Sequence, residues 1–388
     1  MKKTFLLGAG ASVDAGLESS TGLTRAIADH LGRGAFRNPA GQLLHAVVGA
    51  LIQHDASGGA DAFAIPDVER VFTAVTELKQ RDELDISAFV ERWNGSLDAA
   101  TGPAGLPGSW ARDFRESLSG EHAGDHELQA AFERGVLSLT ESTSWQLFAD
   151  LEQQMRMALV QVLTVDPERV GYLNPMLSSP DLYAIATLNY DISVETACSR
   201  MGLSVDTGLD RWRGGYGWEW ASNANVKLLK LHGSLDYVLH QARPRDKRMA
   251  TEHLVATGNE VGANPALVFG LGSKLRSDGP FLAMLIELDR LLEKTEWLSI
   301  VGYSFRDDHI NAALTRWMNS DVSRRLSVID PSVDEWLQNE VSAPRYFARL
   351  RSAASGEGRE FGRPAKWSSI ETDYLTARAA QGLIDLHC

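Results

Sequence analysis

Short runs of aliphatic and β-branched residues, closed off by Gly, Asn, Asp or Pro, recur along the chain with helix-period stretches between them. Such runs are too short and too uniformly apolar for a surface helix, and they read as strands buried on both faces of a parallel sheet. They are Thr4–Leu7, Leu182–Leu188, Val226–Leu231, Ala266–Phe269, Trp297–Val301 and Leu326–Ile329. All but the last run straight into residues able to do chemistry: GAGAS, NYD, HGS, GLGSK and GYS. In an open α/β sheet, ligands bind in the crevice outside the carboxyl ends of the strands. The pattern therefore predicts one site assembled from loops far apart in sequence.

Between Thr24 and Pro180 the period changes from strand-like to helical. Asp67–Lys79, Ile86–Trp93 and Glu127–Leu163 carry it, the last with Phe132, Val136, Leu147, Leu151, Met155, Leu159 and Leu163 along one apolar stripe. A Gly/Pro/Ser run, Thr101–Ser109, separates the two halves as a loop would. The expected architecture is an α/β fold: a Rossmann-like parallel sheet of about six strands with a long helical insertion. Its domains are a discontinuous nucleotide-binding and catalytic unit of residues 1–40 and 170–332, a helical insertion over 41–169, and a tail over 333–388. Arg345–Lys366 in that tail is basic, either a solvated segment or a patch for phosphate or an acidic partner.

Composition narrows the classes. The 388 residues carry 38 Lys and Arg against 51 Asp and Glu, a net charge of −13. So acidic a chain lacks the concentrated basic surface that general phosphate neutralisation needs, and no direct sequence-specific nucleic-acid binding is expected. No apolar stretch approaches the about 20 residues of a membrane span, so no membrane contact is expected. The lysine-led N-terminus enters a glycine loop rather than a cleavage site. Only Cys198 and Cys388 are present, too few for a disulfide framework or a four-cysteine zinc module. A reducing, cytoplasmic setting and a site without metal follow as expectations.

Phe5-Leu6-Leu7 leads into Gly8-Ala9-Gly10-Ala11-Ser12 and then Val13-Asp14-Ala15-Gly16, a strand entering glycines and a helical turn. Glycines there allow close backbone approach, so successive N–H groups can surround a pyrophosphate; simple turn chemistry would need the same residues. Ser12 is placed either to cap the helix or to reach a phosphate oxygen. The spacing fits neither the GxGxxG fingerprint nor a P-loop, which disfavours hydride transfer and ATP hydrolysis.

Asn189 and Asp191 close one strand, and His232 and Gly233 another. Taken singly, the Asn is a turn former and the His a hydrogen-bonding residue; together at one sheet edge, they fit cleavage of the nicotinamide–ribose bond of NAD. That reaction has a neutral leaving group and a transition state with oxocarbenium character, as in glycoside hydrolysis. Asn189 can orient water or ribose hydroxyls. His232, whose kind titrates near about 6.5, can accept a proton. Asp191 either stabilises the developing cation or braces the loop.

These residues resemble the sirtuin superfamily: Gly8–Ser12 its NAD-binding loop, Asn189 and Asp191 its Asn-x-Asp element, His232-Gly233 its His-Gly. They are more similar to the bacterial sirtuin-like NADases of antiphage defence, which share TxNYD, LHGSxD and a motif present here as Gly302-Tyr303-Ser304-Phe305-Arg306-Asp307-Asp308-His309-Ile310-Asn311. The resemblance implies hydrolysis of NAD+ to nicotinamide and ADP-ribose, which depletes cellular NAD during infection. It implies Asn189, His232 and Asp191 as catalytic residues. It also implies Gly8, Ala9, Gly10, Ser12, Asp14 and Gly233 at the dinucleotide, with Gly302, Ser304, Asp308 and Asn311 near the adenosine end. As partners it implies a homo-oligomer and a HerA-type ATPase or another defence protein. Deacylase sirtuins carry a Gly-Ile-Pro-Asp-Phe-Arg run after the glycine loop and a zinc module, and this chain has neither. A protein deacylase or ADP-ribosyl transferase, or an inactive NAD-binding scaffold, are the alternatives.

Asp307 and Asp308 also read as the N-cap of the helix that follows. Lys274 in Phe269–Lys274 could approach a phosphate or be a surface residue. Gln241–Arg248 reads as a basic loop, or as a gate or partner contact.

Overall fold

In the computed structural model of the chain, the described residues are 1–32, 39–59, 61, 64–81, 84–86, 144–213, 215–241, 252–256, 265, 267, 280–321, 324–330, 344–346 and 370–373. The Thr101–Ser109 run, the GLGSK motif, the basic loop after Gln241 and most of the basic tail lie outside them.

The strands in chain order are β1 (Lys3–Leu7), β2 (Leu182–Thr187), β3 (Val205–Asp206), β4 (Val226–Lys230), β5 (Tyr237–Gln241), β6 (Glu252–Ala256), β7 (Trp297–Val301), β8 (Arg325–Ile329) and β9 (Ile370–Asp373). All but β5 and β6 form one seven-stranded sheet in the order β3-β4-β2-β1-β7-β8-β9, and every neighbouring pair in it is parallel. β5 and β6 make a separate antiparallel pair. The fold is thus the α/β parallel sheet that the apolar runs predict. Their register is set by burial: Phe5, Leu6, Ala184, Ile185, Leu228, Leu229, Leu298, Ile300, Leu326 and Val328 are all buried.

One expected strand is different. Leu267, from the Ala266–Phe269 run, is outside the parallel sheet and forms an isolated antiparallel bridge with Gly233, just beyond the end of β4. The sheet gains β3 and β9 instead. The first has two residues and the second reads IETD, so neither shows an apolar run.

The longer helices among the described residues are α1 (Ser20–Gly32), α2 (Pro39–Ser57), α3 (Val68–Lys79), α4 (Ser144–Val162), α5 (Ser193–Arg200), α6 (Phe281–Glu293) and α7 (Asp308–Ser320). Helices α6 and α7 turn Met284, Leu288, Leu291, Ile310, Leu314 and Trp317 into the same apolar cluster as the sheet residues Leu298, Ile300 and Leu326. No helix among the described residues is long and apolar enough to cross a membrane.

The chain divides into two compact units, Met1–Ser19 with Val160–Cys388, and Ser20–Leu159. Within the second, α3 begins where Asp67 accepts a hydrogen bond from the Arg70 N–H at 2.9 Å, a side-chain cap for an otherwise orphaned donor. Its face of Val71, Phe72 and Val75 is buried, as are Phe148, Leu151 and Met155 of α4. Glu152 is held between Lys79 at 2.5 Å and Arg156 at 2.8 Å.

Within the first unit, the adjacent strands β4, β2, β1 and β7 release the chain at one edge. The strand order reverses at β1, the switch point at which open α/β sheets hold ligands.

Candidate active site

The chain leaves β1 at Gly8 and turns through a short 3₁₀ segment, Ala9–Ser12. The Gly8 N–H donates to Val301 O and the Gly10 N–H to Gly302 O, both at 2.9 Å, while the Ala11 N–H donates back to Gly8 O. A Cβ on Gly8 would stand 2.5 Å from Gly302 O, and one on Gly10 2.7 Å from the Gly302 Cα. Gly302 itself has φ +61°, a left-handed conformation that only glycine adopts without strain. These glycines are thus required by close contact between two backbones. Three of the N–H groups that the sequence points at a pyrophosphate are engaged by protein carbonyls instead. Asp14, on the turn that follows, has its carboxyl pushed up by burial, against the opposing pull of Arg169.

Asn189 follows β2, and its backbone N–H is turned by Thr187 Oγ1 at 3.1 Å. Its side-chain amide nitrogen donates to Gly8 O at 2.8 Å and to Ser12 Oγ at 2.9 Å. Because a backbone carbonyl only accepts, this contact fixes the amide orientation: both N–H bonds face the protein, and the carbonyl oxygen is the group that can take a bond from water or a ribose hydroxyl. Ser12 Oγ donates onward to Asp191 Oδ2 at 2.7 Å, and Asp191 Oδ1 accepts from the Ser193 N–H at 2.9 Å. Asp191 is buried, and both its oxygens brace the loop that carries Asn189.

Three residues that the motifs do not name complete this cluster. Lys230, the last residue of β4, is fully buried; its Nζ donates to the Asp191 carbonyl at 2.6 Å and to Glu195 Oε1 at 2.7 Å. Burial pushes the Glu195 carboxyl up, and Lys230 pulls it back only in part. Tyr172 donates to Ala11 O at 2.6 Å, and burial raises its phenol far above the usual range. A lysine ending the VKLLK strand is the sequence signal for the first, since a buried cation needs a partner. Neither Glu195 nor Tyr172 carries such a signal in the sequence.

His232 lies just past β4 and is 4% exposed. Its Nε2 is 3.0 Å from Asp307 Oδ2, and its ring centroid is 6.3 Å from that of Tyr190. The following Gly233 has φ +86°, which lets the chain turn sharply behind the imidazole. Asp307 also caps α7, its Oδ1 accepting from the His309 N–H at 3.0 Å and the Ile310 N–H at 3.4 Å.

The rest of GYSFRDDHIN holds this loop. The Tyr303 hydroxyl accepts from the Asp307 N–H at 3.1 Å and reaches Asn311 Oδ1 at 3.2 Å. Asn311 Nδ2 donates to Phe305 O at 2.9 Å, and Phe305 has the unusual φ of 56°. Asn311 is buried, whereas Ser304 and Asp308 are exposed. The Asp pair could be read from sequence as a cap, but which of the two caps, and that it also meets a histidine 75 residues away, could not.

The structure therefore brings Gly8, Ser12, Asn189 and Asp191 into one hydrogen-bonded cluster and pairs His232 with Asp307 in a second. Tyr190 joins them: its ring neighbours His232, and its carbonyl accepts from the Leu235 N–H at 2.9 Å. A small recess of about 10 Å³, room for about one water molecule, is lined by Leu7, Ala11, Ser12, Tyr172, Asn189, Asp191 and Glu195, among others. Its polar lining is of hydroxyl, amide and carboxylate groups. Cys198 is buried, and burial pushes its thiol up to about 12, away from the thiolate that a nucleophile needs.

Residues 183–343, less than half of the chain, match the family model of the SIR2-like domain. Asn189, Asp191, His232 and the GYSFRDDHIN motif fall inside the match, and the glycine loop precedes it. No curated protein matches the chain. Among solved structures, one similar chain is a Sir2 homologue with three substitutions in complex with 2′-O-acetyl ADP-ribose, at 12% identity and a TM-score of 0.37, covering 99% of this chain and 89% of that one. Another is a Sir2 homologue–NAD complex at 12% identity and a TM-score of 0.36, covering 99% of this chain and 87% of that one. Likeness at that level does not bear on what this chain binds.

Proposed function

We propose that the protein is a sirtuin-like NAD+ glycohydrolase that cleaves the nicotinamide–ribose bond to give nicotinamide and ADP-ribose. The observation that carries this reading is the amide of Asn189, pinned by Gly8 O and Ser12 Oγ so that its carbonyl oxygen is left to accept a bond, with His232 just past the end of the adjacent strand β4. Water attacks the ribose carbon as the carbon–nitrogen bond breaks. The bonding pair leaves with nicotinamide, which becomes neutral, and the water's proton passes to a base. Asn189 Oδ1 orients the water or a ribose hydroxyl, and His232 takes the proton. The carboxylates of Asp191 and Asp307 favour positive charge nearby, as an oxocarbenium-like transition state requires.

A metal-free site and NAD+ as substrate belong to this reading, as do the glycine-loop and GYSFRDDHIN residues at the dinucleotide. In the cell the activity would deplete NAD during phage infection. The protein would act as a homo-oligomer, with a HerA-type ATPase or another defence protein as partner.

The test is to incubate the full chain with NAD+ and follow nicotinamide and ADP-ribose by chromatography, alone and with its genomic neighbour. Release is expected, with Asn189→Ala and His232→Ala each lowering it by on the order of 100-fold or more. Turnover unaffected by both substitutions would place the site elsewhere. Release that depends on an added acyl-peptide would make the protein a deacylase.

A further inference from the structure

Asp307 has two oxygens with two separate duties. Oδ1 accepts the His309 and Ile310 N–H groups at the start of α7, and Oδ2 stands 3.0 Å from His232 Nε2. An ionised carboxylate only accepts, so the hydrogen between the two side chains belongs to Nε2. The ring is then held as the tautomer whose Nδ1 carries the lone pair.

We infer that Asp307 is the positioning residue of His232: it selects the imidazole tautomer in which Nδ1 is the proton acceptor and orients the ring through the capped end of α7. The inference deepens the proposed NADase reading and rests on it for the role of His232 in turnover. No bond to Asp307 is made or broken in the reaction. The proton taken by Nδ1 turns the ring into an imidazolium, and the carboxylate on Nε2 stabilises that charge. The arrangement also explains the aspartate pair: Asp308, one residue on, is exposed at the first turn of α7, and Asp307 alone reaches the histidine.

The cap makes an unusually clean test. Asparagine caps helices as well as aspartate does, so Asp307→Asn keeps α7 capped. Capping requires an oxygen toward the His309 and Ile310 N–H groups, and this turns the new amide NH₂ toward His232. An N–H donor there forces Nε2 to accept, and the ring proton moves to Nδ1. Asp307→Ser also caps, without reaching the ring, and supplies a second folded background.

Two measurements on the full chain decide it. Imidazole ¹⁵N shifts of His232, assigned against His232→Gln, should show the proton on Nε2 in the parent protein and on Nδ1 in Asp307→Asn. Nicotinamide release should fall by on the order of 100-fold in kcat in both variants, with KM changed by less than about threefold and thermal melting nearly unmoved. An unchanged tautomer in Asp307→Asn, or an unchanged kcat in both variants, overturns the inference. So does a loss of activity matched by a loss of folded protein in both, which would make Asp307 a helix cap alone. If the parent protein releases no nicotinamide under any condition, the NADase reading falls, and the tautomer measurement still decides whether Asp307 governs His232.

Discussion

The loops after β1 and β7 hold one another through the absence of side chains, and those after β2 and β4 through buried charge. In the first pair, Gly8, Gly10 and Gly302 let two backbones touch, and the Gly8 and Gly10 N–H groups bond across the seam. In the second, Lys230 ties the Asp191 carbonyl to Glu195, while Asn189, Ser12 and Asp191 form a chain of hydrogen bonds. Sterics fix the first pair whatever the pH. The second depends on protonation states.

Lys230→Met should break the charged side hardest, because it leaves Glu195 buried with its counterion gone. The expected loss is about 3–5 kcal/mol of unfolding free energy by urea denaturation near neutral pH. The double variant Lys230→Met/Glu195→Leu should recover most of it, since removing both charges is far less costly than removing one. Failure to recover would mean that the bond to the Asp191 carbonyl, and not the ion pair, holds this side. The penalty should also depend on pH. Burial raises the folded Glu195 carboxyl above the ordinary glutamate value of 4.5, so below that pH the group is protonated in both states and the single variant loses less. The loss grows as the pH rises from there.

Gly10→Ala tests the other side. A methyl group 2.7 Å from the Gly302 Cα forces the seam apart, at an expected cost of about 1–3 kcal/mol that does not vary with pH. A pH-dependent loss would erase the contrast between the two pairs. Tyr172→Phe is the smallest of the three, about 1 kcal/mol for one hydrogen bond to Ala11 O, read as a small downward shift in melting temperature.

Much of this edge is legible in the sequence because strands buried on both faces leave continuous apolar runs, and four such runs end in the residues that meet here. Helix α3 is legible for a similar reason: Asp67 precedes a clear 3.6 period. What escapes is whatever depends on a long-range partner. The glycines show that a backbone must come close, but not that it is Gly302. Asp307 shows a cap, but not the histidine its other oxygen meets. Glu195 looks like an ordinary helix-start acid, and only the fold reveals Lys230 against it. β9 and β3 escape because strands so short or polar carry no apolar signature.

The central place of β1 has a consequence for how the chain is made. Its five residues lie far ahead in the chain of its sheet neighbours, which begin at Leu182 on one side and Trp297 on the other. At synthesis rates of about 5–20 residues per second, roughly 15–60 seconds separate β1 from the completion of its second partner. All of Ser20–Leu159 is translated in that interval. During it, Phe5, Leu6 and Leu7 are an apolar strand with two open edges, the kind of segment that chaperones hold and that aggregates when they do not. Closing the sheet around β1 also requires contacts of very high sequence separation, which makes it the slow step of folding. The strand that anchors the site is thus synthesised long before either of its sheet neighbours can secure it.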